Sequence, residues 1–142
     1  MPNAEHETTI ARPPAEVFAF LANAANDPQW RAGVLDIARV SGDGGAGTRY
    51  RQGVKGPLGR RIPADVEITE SRPNELHAFR ATEGPVRPEG RYELTPANGG
   101  TRVRFALTAD VRGLKKVMTP IVQRTMEREV AGLERAKQVL ER

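Results

Sequence analysis

The chain of 142 residues carries 22 lysines and arginines against 18 aspartates and glutamates, a formal charge of +4, with 38% hydrophobic and 5% aromatic residues and no cysteine. Without cysteine, disulfides, thiolate catalysis, zinc fingers and iron–sulfur ligation are excluded. The length fits one domain over 1–142. No apolar run reaches the roughly 18 to 20 residues of a membrane span, and Met1-Pro-Asn-Ala-Glu-His lacks a signal-peptide pattern, so the expectation is a soluble cytoplasmic protein without stable membrane insertion.

An extended run from about Glu5 to Arg12 ends at Pro13-Pro14, since proline drives its predecessor out of the helical region. Pro14 then fits the first turn of a short amphipathic helix with Val17, Phe18 and Leu21 on one face. Asp27 and Pro28 read as N-cap and first residue of a second short helix bearing Trp30. From Val34 the period changes to two. Strands are expected at Val34 to Val40, at Thr48 to Val54 with Tyr50, Gln52 and Val54 on one face, and at Ile62 to Thr69, with Pro63 favouring an edge position or the strand's first residues. Further strands are expected at Glu75 to Thr82, at Val86 to Thr95, and at Thr101 to Val111, where Val103, Phe105, Leu107 and Ala109 alternate with polar neighbours. A long helix from about Leu114 to Glu141 carries Met118, Val122, Met126, Val130, Leu133 and Leu140 as one apolar stripe. Pro120 either kinks it or marks its start with Thr119 as cap.

Several local signatures follow one another in a set order. They are Thr9 to Leu21, Pro28-Gln-Trp30 with Gly33-Val34, Gly42 to Gly47 before Thr48-Arg-Tyr50, Arg72-Pro73-Asn-Glu-Leu76, and Gly99-Gly-Thr101-Arg-Val103. Together they resemble the START-like helix-grip superfamily, in its bacterial polyketide cyclase/dehydrase-like branch. The resemblance implies an α+β fold: a curved antiparallel sheet of about seven strands wrapped around a long C-terminal helix, with two short helices between the first two strands. It further implies an apolar cavity; members bind hydrophobic ligands, and some catalyse cyclisation or dehydration. Physically, one helix about 10 Å across cannot fill a wide one-faced sheet, and the lining of the remaining void loses dispersion contacts unless something occupies it.

Other constellations are weaker. Gly42-x-Gly44-x-x-Gly47 matches a dinucleotide fingerprint in letters only, because a strand rather than a phosphate-facing helix is expected after it. No metal-ligand spacing, nucleophile elbow or cofactor motif is present. Of the two histidines, His6 is expected at a solvated strand edge, and His77 points inward if Phe79 does. Asp65 and Glu67 share the polar face of their strand and read as solvated. Between Asp43 and Asp65 lie Arg49, Arg51, Lys55, Arg60 and Arg61 with no acid, on an expected hairpin with its tip near Gly53 to Gly59. Too few aromatics accompany them for a nucleic-acid partner; they suit an anionic head group or a solvated face.

The expected function is binding of a small hydrophobic or amphipathic ligand, of lipid, polyketide or isoprenoid type. Trp30, Tyr50, Gln52, Phe79, Tyr92, Phe105, Met118, Val122 and Met126 are the ligand-binding candidates. The alternative is a polyketide cyclase/dehydratase-type enzyme with His77 or a tyrosine hydroxyl as acid/base candidate. No cofactor and no metal are expected, and a homodimer stays open.

Overall fold

In a computed structural model, described here for residues 1–84 and 86–142, eight strands form one antiparallel sheet. The strands are β1 (Asn3–Ile10), β2 (Val34–Ser41), β3 (Arg49–Lys55), β4 (Arg61–Pro63), β5 (Val66–Arg72), β6 (Leu76–Ala81), β7 (Arg87–Ala97) and β8 (Gly100–Asp110). Their order is β1-β8-β7-β6-β5-β3-β2, with β4 also paired to β3. Two short helices, α1 (Pro14–Ala22) and α2 (Asp27–Trp30), lie between β1 and β2, and α3 (Thr119–Ala131) and α4 (Leu133–Leu140) close the chain. This is the helix-grip arrangement.

The expected Ile62 to Thr69 strand is divided. Its register on β3 is nevertheless unbroken, since Gly53 opposes Pro63 and Tyr50 opposes Val66. The interruption falls where side chains take over the two ends of one ladder bond. Gln52 N–H donates to Asp65 Oδ1 at 3.2 Å, and Gln52 Nε2 donates to the Ala64 carbonyl at 3.1 Å. Asp65 is thereby half-buried and bonded rather than solvated, and Glu67 is ion-paired with Arg49 (3.0 Å) and Arg80 (3.5 Å). Ile62, on the face that its alternation predicts to be buried, is 41% exposed because it lies at the hairpin end.

The C-terminal helix begins later than its hydrophobic stripe. A 3-10 turn over Lys116–Met118 precedes it, and Pro120 occupies the first turn of α3, where a missing N–H costs nothing. Met118, not Thr119, is the capping position, and it contributes no side-chain bond. At Gly132 the backbone stays helical (φ −59°, ψ −15°), so α3 and α4 follow one another as a long helical arm.

That arm packs on β1 and β8, to one side of the sheet. The buried core therefore unites Ile10 of β1, Tyr92 and Leu94 of β7 and Val103, Phe105 and Leu107 of β8 with helical Val17, Trp30, Met126 and Leu133. No fully buried member of this cluster comes from β2 through β6 among the described residues. The concave face of that half is left to α1, α2 and the turn between them. A small cavity lies there.

Candidate functional site

A cavity of about 30 Å3 separates the end of α1 and the start of α2 from the β2–β6 half of the sheet. Its wall is largely apolar, from Leu21, Ala22, Ala24, Ile37, Val66, Ile68 and Phe79. The polar lining comes from Asp27, Arg31, Tyr50, His77 and Tyr92. A space of this size holds a water molecule or two, or one polar head group.

Each polar group is placed by its element. Asp27 opens α2 and Arg31 follows it one turn later, so Arg31 Nη1 reaches Asp27 Oδ2 at 3.0 Å. Arg31 Nη1 also donates to Gln52 Oε1 of β3 at 3.1 Å, and its Nε donates to Glu129 Oε1 of α3 at 2.7 Å. One buried guanidinium thus ties three elements together. Asp27 does not act as the expected N-cap: Asn26 holds that position, and the Asp27 carboxylate turns inward to Arg31. Its second oxygen, Oδ1, is buried with no hydrogen-bond partner among the described residues, as is the Trp30 indole Nε1.

Burial pushes the Asp27 carboxyl up to about 6, against the pull of Arg31. Burial opposes the charge of Arg31 too, but Glu129 foremost, with Tyr92 and Asp27, holds its pKa above the ordinary value. Desolvation raises the Tyr50 phenol and raises that of Tyr92 strongly. The same cause lowers His77 to about 4. His77 opposes Tyr92 across β6 and β7, its ring parallel to the phenol at 6.5 Å, and its Nδ1 shares a 3.0 Å hydrogen bond with Ser71 Oγ.

Of the candidates read from the sequence, Tyr50, Phe79, Tyr92 and His77 meet at the cavity. Gln52 stands behind it as a ligand of Arg31. Trp30 and Phe105 are core: their rings lie 6.0 Å apart, and each packs against Tyr92. Met126 is buried on α3 and Val122 half-buried, both outside the cavity lining, while Met118 is 40% exposed before α3. Asp27, Arg31 and Glu129 were not singled out for the site. The only local signal was the four-residue spacing of Asp27 and Arg31; Glu129 lies 98 residues from Arg31.

His6 is half-buried rather than solvated, its Nε2 2.6 Å from Glu134 Oε2 of α4. Gly42 to Gly47 is a turn leading into β3, closed by the Gly44 N–H donating to Thr48 Oγ1 at 2.8 Å. In the basic run, Arg49 pairs with Glu67 and Arg61 with Asp36 at 2.7 Å, so acids outside the run neutralise two of its charges. A larger open groove, about 630 Å3, lies at the far end of the sheet between Arg80, Arg87, Glu89, Asp110 and Arg112, and touches none of the candidates. Among the described residues no cluster of three metal-ligating side chains occurs, and no helix is long and apolar enough to cross a membrane.

The sheet order, the short helix pair after β1 and the long C-terminal arm packed on β1 and β8 define a helix-grip fold. The chain belongs to the family described as polyketide cyclase / dehydrase and lipid transport, which it matches over residues 1–141. It is similar in structure to TTHA0849 from Thermus thermophilus (TM-score 0.80, 23% identity, 96% of this chain and 95% of that one). It is similar also to a START superfamily protein from Mycobacterium smegmatis (TM-score 0.81, 14% identity, 98% and 97%). The di-domain ARO/CYC StfQ from the steffimycin biosynthetic pathway matches with TM-score 0.80 and 12% identity, over 99% of this chain and 50% of its own length. At these identities the likeness is one of fold. No curated protein sequence matches the chain.

Proposed function

We propose that the protein binds a small hydrophobic or amphipathic molecule between the short helices and the β2–β6 half of the sheet. The observation that carries this reading is the divided core: the main buried cluster joins the helices to β1, β7 and β8, while the buried Tyr50 of β3 and Ile68 of β5 lie outside it and border a cavity with an apolar wall and a polar end. Membership of a family that includes lipid transport supports it. A bound ligand commonly needs some 300 Å3 or more, against about 30 Å3 here. Entry therefore displaces half-buried Phe79 and the α1–α2 segment rather than filling a ready-made void. Leu21 and Trp30 anchor the two ends of that segment in the core cluster, so the part that yields is the turn at Asn23 to Asn26 between them.

The cyclase/dehydratase-type alternative needs an acid/base: the Tyr50 and Tyr92 phenols, raised by burial, stay protonated at neutral pH, and the other candidate is His77. With its pKa lowered to about 4, the imidazole is uncharged at neutral pH and a weak base. Binding without turnover is the reading the site supports best.

A thermal-shift panel of fatty acids, isoprenoid alcohols and aromatic polyketides tests it, because a ligand of the native state raises the melting temperature. At least one class should do so in a dose-dependent way. Ala24→Trp, which fills the cavity from the α1–α2 turn, should abolish that rise while leaving the chain folded. A panel without any shift, or a shift indifferent to Ala24→Trp, would overturn the assignment.

A further inference from the structure

The polar end of the cavity is unbalanced in charge. Among the described residues Arg31 is the one cation in contact with Asp27 and Glu129, at 3.0 and 2.7 Å, so two carboxylates share one guanidinium. Every other titratable group facing Asp27 is uncharged near neutral pH. The Tyr92 phenol of β7 and the Tyr50 phenol of β3 are raised by burial, and His77 of β6 is lowered by it. Arg39 of β2 faces Tyr50 and does not join the cluster's hydrogen bonds. With Asp27 ionised, the cluster holds one negative charge in excess. Asp27, 6% exposed and lining the cavity, keeps Oδ1 without a donor. A buried charge in that position calls for a counter-charge.

The aromatic surround narrows the choice. Tyr50, Phe79 and Tyr92 share the cavity wall with Asp27, and aromatic faces attract cations. We propose that the cavity receives the ammonium group of an amphipathic amine, which donates to Asp27 Oδ1 amid the rings of Tyr50, Phe79 and Tyr92. The proposal rests on the ligand-binding reading above and names its ligand class. The space of about 30 Å3 accommodates such a head group. The hydrophobic body follows the apolar side past half-buried Val66 and Phe79.

In the absence of amine, a proton is the competing counter-charge. The carboxyl of Asp27, held at about 6, goes from almost wholly ionised at pH 7.5 to roughly one-tenth ionised at pH 5.0. Amine affinity should therefore fall about tenfold over that range, whereas a neutral analogue should be indifferent to it.

Calorimetric titration of the full chain with 2-phenylethylamine, 2-phenylethanol and 1-decanol supplies the test. The expected result is an amine at least tenfold tighter than its alcohol at pH 7.5, with the preference collapsing at pH 5.0. Asp27→Asn should remove the preference at both pH values. If that variant fails to fold, the wild-type pH series decides alone. Equal affinities of amine and alcohol, or a preference that ignores pH, would overturn the amine assignment and leave ligand binding standing. Binding of 1-decanol alone would do the same. Failure of all three probes to bind would overturn the amine assignment, and with a thermal-shift panel that also shows no rise it would overturn both.

Discussion

Asp27 and His77 face the same cavity and respond to pH in opposite senses. The folded state raises Asp27 from 3.8 to about 6, so the stability gained from its neutral form is complete below 3.8 and lost as pH rises through 6. His77 falls from 6.5 to about 4, so its contribution is complete above 6.5 and lost as pH falls through 4. Each displacement corresponds to about 3 kcal/mol. Across pH 4 to 6.5 the two nearly cancel. His77→Gln should expose the Asp27 limb: relative to wild type, stability falls by about 3 kcal/mol as pH rises through this window. Asp27→Asn should expose the opposite slope. Urea midpoints at half-unit pH steps read both, and parallel profiles for the two variants would contradict the assignment. Arg31 acts differently, because removing it strands the buried Asp27 carboxylate and the half-buried Glu129. Arg31→Met is expected to cost about 3–5 kcal/mol at pH 7, and less at pH 4.5, where Asp27 takes up a proton.

At the scale of elements, alternation and turn chemistry carry most of the information. Val103, Phe105, Leu107 and Ala109 all face the core, as their period of two requires, and Pro14 and Pro120 both sit in first helical turns. What alternation cannot register is a side chain standing in for backbone. The Asp65 carboxylate and Gln52 amide take over the two ends of one ladder bond, the Gln52 N–H and the Ala64 carbonyl, and divide a strand whose hydrophobic pattern is continuous. Nor can local pattern locate the buried ion cluster. Arg31 reads as an ordinary surface arginine until the sheet and the C-terminal arm bring Gln52 and Glu129 to it. The inward direction of Phe79, by contrast, has a local enabling partner in Gly90, its cross-strand neighbour. A Cβ at Gly90 would stand 2.4 Å from Phe79 Cζ and 2.7 Å from Leu107 Cδ2. Gly90→Ala should therefore drive the Phe79 ring into the cavity at a cost of about 1–3 kcal/mol. Chemical denaturation measures the loss, and the smaller cavity should weaken any ligand that Ala24→Trp also weakens. A neutral Gly90→Ala would show that Phe79 has room elsewhere.

Over the whole molecule the sheet is stabilised unequally. The helical arm, β1, β7 and β8 share one buried cluster, and further ties reinforce it: Gln123 of α3 exchanges hydrogen bonds with the Asn3 backbone, and Lys137 of α4 donates to the Thr9 carbonyl. On the other side β2 is an edge strand, only its first residue Val34 is buried, and β4 is a three-residue strand with all residues exposed. Free energies of local opening follow the density of buried apolar contacts. Amide protection should be greatest along β7 and β8, approaching the global unfolding free energy. It should be lower by about 2 kcal/mol or more in β2 and β4. Hydrogen exchange monitored by NMR measures this gradient directly, and uniform protection across the sheet would contradict the lopsided core. The same gradient would admit the proposed ligand to so small a cavity, since the strands that must yield are those with least to lose. A ligand that raises the melting temperature should therefore slow exchange first in β2, β3 and the α1–α2 turn. Slowing confined to β7 and β8 would place binding elsewhere.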